Sequence, residues 1–200
     1  MSAYIAIEGL IGAGKTTLAR AVARSTGATL LLEQPASNPF LEPYYHAPER
    51  YVLPCQLAYL MHRHDQLSEL TLGDHGAVAD YVYEKDALHA QWLLSGAELN
   101  LYERIAEALA SRIRPPDLLV WLDVSPETCL ARIAKRGTPG EESITLAYLA
   151  ELQSRYDDLL ARWDHCPVLR LDGERDVGAE PTVLEQWVSQ IGARVKLSRS

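Results

Sequence analysis

IAIEGLIGAGKTTLARAVA, Ile5 to Ala23, decides the fold. Tyr4–Ile7 is a short apolar run that reads as a strand, and Leu18–Ala23 belongs to a helix. Between them Gly9-Leu10-Ile11-Gly12-Ala13-Gly14-Lys15-Thr16 satisfies G-x-x-x-x-G-K-[ST], in the strand-then-helix context that the motif requires. Glycines there let backbone N–H groups turn inward around a phosphate, where a side chain would block them. Gly9, Gly12, Ala13, Gly14, Lys15, Thr16 and Thr17 are the expected nucleotide-binding residues. Lys15 adds a point charge toward the β- and γ-phosphates, the Thr16 hydroxyl is placed for Mg²⁺, and the helix N-terminus adds positive potential. ATP and Mg²⁺ are the expected cofactors. What receives the phosphate is not settled within these residues.

Outward from this stretch, short apolar runs alternate with helical patterns. Strands are expected at Thr29–Leu32, Ala77–Ala79, Leu118–Leu122 and Val168–Leu171. Helices are expected at Glu49–Thr71, Lys85–Leu94, Glu98–Arg112, Pro126–Lys135, Leu146–Trp163 and Pro181–Val195. Ser125-Pro126-Glu127 supplies an N-cap, a first-turn proline and an early acid. Pro54 predicts a kink or restart within its helix, and Arg170–Glu180 reads as a surface loop. The alternation implies an α/β fold of P-loop NTPase type: a three-layer domain with a five-stranded parallel sheet, helices on both faces and a short lid. One domain is expected across residues 1–200, its lid at approximately 132–143. Ligands in such sheets bind outside the carboxyl ends of the strands.

A formal net charge of −8 disfavours nucleic acid and anionic membranes as partners. No apolar run approaches the roughly 20 residues that span a bilayer, and no signal peptide is expected ahead of the first strand. The three cysteines lie far apart without metal-type spacing, as in reduced cytosolic proteins. The chain reads as cytoplasmic.

Acceptor-side candidates belong at the ends of the second and third strands. Glu33, after the run TLLL, is placed either as a proton acceptor for an attacking hydroxyl or as a solvated strand-end acid. Asp80 ends the third strand, where an acid beside a phosphate loop commonly holds Mg²⁺ through water; helix capping is the alternative. Asp123 competes for that role but suits a turn better. Gln56 and Arg63 are seven apart and share one helical face, as a bidentate hydrogen-bonding pair or a solvated stripe. Arg132 and Arg136, in ARIAKRGTPGEES, form either a lid that closes on the donor phosphates or an exposed charged helix end.

In this order the pieces resemble the deoxynucleoside kinase family, P-loop enzymes that phosphorylate the 5′-hydroxyl of deoxyribonucleosides. The likeness runs from about Ala3 to Leu160. I-E-G-x-I-G-x-G-K-T looks like that family's loop, whereas thymidylate kinases usually have Asp-Gly at Ile11-Gly12. NPFLEPYYHAPERYVLPCQLAYLMHRHDQL, Asn38 to Leu67, is similar to its nucleoside-binding segment, with Tyr45 eleven residues before Gln56 and Arg63 seven after. The resemblance implies that Glu33 is the general base, and that Tyr45 and Glu141 hold the 3′-hydroxyl. It further implies that Gln56, Arg63 and Asp86 read the base edge, that Asp80 lies near Mg²⁺, and that Arg132 and Arg136 are the first two arginines of an R-x-x-x-R-G-R lid. Usual homodimers imply one here, paired through the helices around Lys85–Leu94 and Glu98–Arg112.

Two departures stand out. Where many members carry acid-Arg-Ser after the third strand, this chain reads Asp80-Tyr81-Val82-Tyr83-Glu84-Lys85, so Lys85 or a lid arginine is expected to supply the missing charge. Thr138 replaces the third basic lid residue. The expected activity is transfer of the γ-phosphate of ATP to the 5′-hydroxyl of a small-molecule deoxynucleoside. Glu33 would accept the proton, and Lys15, Arg132 and Arg136 would neutralise charge. Arg63 and Asp86 together suit deoxyadenosine, deoxyguanosine or deoxycytidine better than thymidine, which has no amino group for a carboxylate. The alternatives are a thymidylate-type monophosphate kinase and a nucleotide-binding regulatory module without turnover.

Overall fold

The computed structural model describes residues 2–138, 140–175 and 180–197. Five strands, β1 (Tyr4–Gly9), β2 (Thr29–Leu31), β3 (Ala77–Ala79), β4 (Leu118–Asp123) and β5 (Val168–Asp172), make one all-parallel sheet in the order β2-β3-β1-β4-β5. The helices are α1 (Lys15–Thr26), α2 (Leu41–His46), α3 (Pro48–Ser68), α4 (Lys85–Leu93), α5 (Gly96–Ala110), α6 (Pro126–Arg136), α7 (Leu146–Ala161) and α8 (Pro181–Leu197). The expected α/β class holds. The chain divides into two compact units: Met1–Leu32, Leu72–Val82 and Pro115–Ser200 form one, Glu33–Thr71 and Tyr83–Arg114 the other.

The first unit holds the sheet. Central β1 is buried along its whole length, which is why it reads as a near-continuous apolar run rather than an alternation. Glu8 is its one charge, and it is 1% exposed. Glu8 and Trp121 are neighbours in register. Both meet Tyr156 of α7, whose hydroxyl donates to Glu8 Oε2 at 3.0 Å and whose ring lies 5.0 Å from that of Trp121. Helix α1 packs on β1, β3 and α8. Ser125 caps α6 as its sequence requires, accepting from Thr128 N at 3.3 Å with Pro126 in the first turn.

The second unit consists of α2 to α5 around a core of Val52, Leu60, Ala90, Leu94 and Tyr102. Asn38 ties the approach to α2 onto α3: its amide donates to the Cys55 carbonyl at 3.0 Å, and its oxygen accepts from Phe40 N at 3.0 Å. This is the side-chain mimicry of a turn that asparagine favours.

Several expectations shift. Helix α3 starts at Pro48, runs through Pro54 as one element and stops at Ser68, three residues before the expected end. Pro54, the seventh residue, forfeits one hydrogen bond to the Arg50 carbonyl, and the helix persists because it is packed along its length on α2, α4 and α5. Leu41–His46 forms a helix too short for a periodic apolar pattern to announce. Arg170 and Leu171 belong to β5, not to a surface loop, because Leu171 is buried against its β4 neighbour Leu122. Residues 176–179 of that expected loop, and Pro139 of the expected lid, lie outside the described residues. Trp121 and Trp187 are buried; Trp92 and Trp163 are half-buried.

Candidate functional site

The first unit builds a cradle at the carboxyl ends of its strands. Ala13 N donates to Leu10 O at 3.1 Å, closing the loop between β1 and α1. Gly12 sits at φ +87°, and a Cβ there would lie 2.7 Å from the Cys129 carbonyl oxygen, so both conformation and space demand glycine. Gly14, also left-handed, caps α1. Lys15 Nζ donates to the carbonyls of Gly9 at 2.8 Å and Leu10 at 3.0 Å, which holds the ammonium over the loop. Thr16 Oγ1 donates to Asp80 Oδ2 at 2.6 Å, and Thr17 is exposed on the first turn of α1. A hydroxyl and a carboxylate, both hard oxygen donors, fit Mg²⁺, which takes one or two side-chain ligands and fills its octahedron with phosphate and water oxygens. Asp123 makes no such contact; its carboxylate accepts from Arg170 at 3.3 Å.

Glu8 stiffens the start of the cradle. Its Oε2 accepts the Gly9 N–H at 2.9 Å as well as the Tyr156 hydroxyl. Sequence reasoning passes over it; the available signal is a single carboxylate inside an otherwise apolar strand. Burial pushes the Cys129 thiol up to about 11, so this thiol stays protonated at neutral pH.

Arg132 and Arg136, expected in a lid, are engaged differently. Arg132 donates to three main-chain carbonyls: Ala13 at 3.4 Å, Gly173 at 2.8 Å and Glu174 at 3.0 Å, which joins the phosphate loop to the segment after β5. Glu174 reaches back to Thr128 Oγ1 at 2.6 Å and to Ser125 N, and these hydrogen bonds hold its carboxyl below the usual range. Arg136 grips Glu141 through two nitrogens, at 2.7, 2.8 and 3.2 Å. Glu141 and Tyr45, expected together on one hydroxyl, belong to different units. Tyr45, on α2, is 50% exposed beside Tyr44.

The second unit gathers a closed ring of charge. Glu33, two residues beyond β2, receives Lys85 Nζ on Oε2 at 3.0 Å and Arg63 on Oε1. The other terminal nitrogen of Arg63 pairs with Asp86 Oδ1. Lys85 and Asp86 are consecutive residues in the first turn of α4, which closes the ring. Arg63 and Asp86 are each 3% exposed at the side chain and Lys85 10%, whereas Glu33 is 23% exposed. Glu33 is the member of the ring with most access. Asp86 Oδ2 is buried with no hydrogen-bond partner. Gln56, two turns before Arg63 on α3, is buried too, so Gln56 and Arg63 are not a solvated stripe.

Groups around the ring register its charges. Burial first, then the negative Glu33, push the Tyr59 hydroxyl well above the usual phenol range, and the Arg63 guanidinium lies 5.4 Å from that ring. His89 Nδ1 donates to the Lys85 carbonyl at 2.9 Å; burial and then the Lys85 charge push its pKa down to about 4. Lys85 itself is legible by an electrostatic anomaly. A cation in the first turn of a helix opposes the macrodipole, so a buried one there requires an anion. Glu33 is that anion.

A parallel sheet with a glycine-rich phosphate loop after β1, and an acid at the tip of β3 bonded to the loop's threonine, defines a P-loop phosphotransferase. The family model for deoxynucleoside kinase matches residues 5–196, and the chain belongs to that family. It is 33% identical to a deoxyadenosine kinase of Dictyostelium discoideum, over 92% of this chain and 77% of that protein. It is equally 33% identical to a deoxyguanosine kinase of Bacillus subtilis (strain 168), over 86% of each. Among solved structures, deoxyadenosine kinase from M. mycoides with the products dCMP and a flexible dCDP superposes with a TM-score of 0.81. That match has 25% identity and covers 95% of this chain and 98% of that one. The chain is therefore an enzyme that phosphorylates a deoxynucleoside from ATP. Among the described residues no helix is long and apolar enough to cross a membrane.

Proposed function

We propose that the acceptor is an amino-bearing deoxynucleoside, deoxyadenosine, deoxyguanosine or deoxycytidine, and that both units act as one kinase domain in nucleotide salvage in the cytoplasm. One observation carries this reading: Asp86, buried beside Arg63, keeps one carboxylate oxygen with no partner. A buried acceptor of this kind calls for a donor, and the exocyclic amino groups of adenine, guanine and cytosine are donors. Relatives named for deoxyadenosine, deoxyguanosine and deoxycytidine support the same set.

In the proposed reaction Glu33 accepts the proton of the 5′-hydroxyl as that oxygen attacks the γ-phosphorus, and ADP leaves. Lys85 takes the place of the family's arginine as the cation that steadies Glu33; its 3.0 Å contact favours it over a lid arginine. Gln56 joins Arg63 and Asp86 at the base edge. Lys15 exchanges its carbonyl partners for phosphate oxygens, and Gly9, Gly12, Ala13, Gly14, Thr16 and Thr17 line the donor site. Thr16 and Asp80 would hold Mg²⁺, which supplies charge neutralisation on the phosphates when bound. Arg136 neutralises the transferring group, and Glu141 with Tyr45 holds the 3′-hydroxyl. Arg132 contributes by fixing the loop at Ala13. Two copies are proposed to pair through α4 and α5, where Leu101 is 46% exposed; equilibrium sedimentation tests this.

The deciding experiment is a phosphorylation screen of the four deoxynucleosides, their ribonucleoside counterparts and dTMP. Turnover with amino-bearing deoxynucleosides is expected. Turnover with dTMP and no nucleoside overturns the reading in favour of a monophosphate kinase, and no stimulation of ATP consumption at all favours a regulatory module.

A further inference from the structure

The ring Lys85–Glu33–Arg63–Asp86 contains two carboxylates and two cations, and three of its four carboxylate oxygens are taken. Glu33 Oε2 has Lys85, Glu33 Oε1 has Arg63 and Asp86 Oδ1 has Arg63. The fourth, Asp86 Oδ2, is buried and has no hydrogen-bond partner. The two carboxylates are thus held by opposite ends of one planar guanidinium, which is rigid: a shift at one terminal nitrogen moves the other. Arg63 has little room to compensate, since it is buried between α3 and α4 with the Tyr59 ring beside it. Chains of charge-assisted hydrogen bonds in a low dielectric also polarise one another.

We propose that Arg63 is a positioning residue for Glu33, and that it transmits the occupancy of Asp86 Oδ2 by a donor on the base to the carboxylate that accepts the hydroxyl proton. This rests on the assignment of Glu33 and Asp86 to the two ends of the acceptor, and it adds a kinetic consequence. A nucleoside whose base donates to Oδ2 completes the ring and locks Glu33 in place. One that lacks the donor leaves a buried carboxylate oxygen unsatisfied, and Asp86 recovers by moving toward other donors, taking Arg63 and Glu33 with it. Selectivity among bases is then expressed in the rate of the bound complex as well as in affinity. A pocket that only binds the base would express it in affinity alone.

The test compares deoxyadenosine with purine 2′-deoxyriboside, which differs by loss of the 6-amino group, in single-turnover phosphorylation at saturating nucleoside. Wild-type enzyme is expected to transfer phosphate to the analogue about five- to a hundredfold more slowly, the range for leaving a buried polar group unpaired. Equal rates within twofold, whatever the difference in KM, overturn the proposal, and this comparison needs no altered protein. Arg63→Lys offers one ammonium that cannot span both carboxylates. In that variant, shown folded by its melting curve, the two nucleosides are expected to react at the same reduced rate, and a persisting rate ratio removes Arg63 from the coupling. Glu33→Gln separates the layers. If it keeps turnover within tenfold, the general-base assignment fails and this proposal with it. If it loses at least a hundredfold while the analogue matches deoxyadenosine, only the coupling fails.

Discussion

In the unit that carries the sheet, the proposed phosphate cradle rests on main-chain groups and two side chains from one uninterrupted stretch, Gly9 to Thr16. In the unit made of α2 to α5, the charged groups come from a strand exit, the middle of α3 and the start of α4. The cradle is a property of backbone conformation, fixed by a glycine that no other residue can replace at φ +87°. The ring is a property of tertiary packing, since Arg63 reaches Asp86 only with α3 and α4 side by side. In the backbone-built site a change at a glycine alters the path of the loop itself. In the ring of buried ions, removing or shortening one member leaves its partner's charge uncompensated.

The largest effect belongs to the ring. Glu33→Gln is expected to lower kcat at least about a hundredfold, the size of general-base contributions, while nucleoside affinity by calorimetry stays within a few fold. Near-normal kcat would leave both units as binding sites without the proposed chemistry. Gly12→Ala strikes the cradle instead. Strain of roughly 1–3 kcal/mol at such a backbone position is expected to raise the KM for ATP by one to two orders of magnitude and leave the KM for nucleoside unchanged. If both constants rise together, the cradle and the ring do not divide donor and acceptor between them.

Lys85→Met, which keeps an unbranched stem but not the terminal ammonium, is expected to reduce kcat about tenfold, within the range of coupling between contacting residues, and Lys85→Arg to restore most of it. Full kcat in Lys85→Ala removes the lysine from the mechanism. Tyr156→Phe removes one hydrogen bond to Glu8 and is expected to cost about 1 kcal/mol of stability, seen as a lower melting temperature with a modest rise in the KM for ATP. The pH response of His89 leaves neutral pH untouched and shows only in acid. Its folded pKa of about 4 lies below the ordinary value, so the unfolded chain binds more protons between them. Stability from this group is present above about pH 6.5 and is lost as pH falls toward 4; His89→Gln is expected to flatten that acid slope in chemical denaturation.

The same contrast explains what can be read from the chain. The strands, the loop and the N-cap at Ser125 are legible because each is written in adjacent residues. The pairing of Lys85 with Glu33 stays open between two candidates because nothing local fixes which cation crosses to which carboxylate. Helix α2 escapes a sequence reading, since six residues carry too little periodicity. Arg132 illustrates a subtler limit: its charge is legible, but its engagement with the carbonyls of Ala13, Gly173 and Glu174 depends on where β5 ends.

Because the formal charges of the ring cancel, an uncharged nucleoside enters without being attracted or repelled by it. On the proposed mechanism transfer leaves Glu33 protonated beside a new dianion, so the ring of two cations and one remaining carboxylate then carries a net positive charge. The monophosphate is held until Glu33 loses its proton and the ring returns to neutrality, so product release follows the proton.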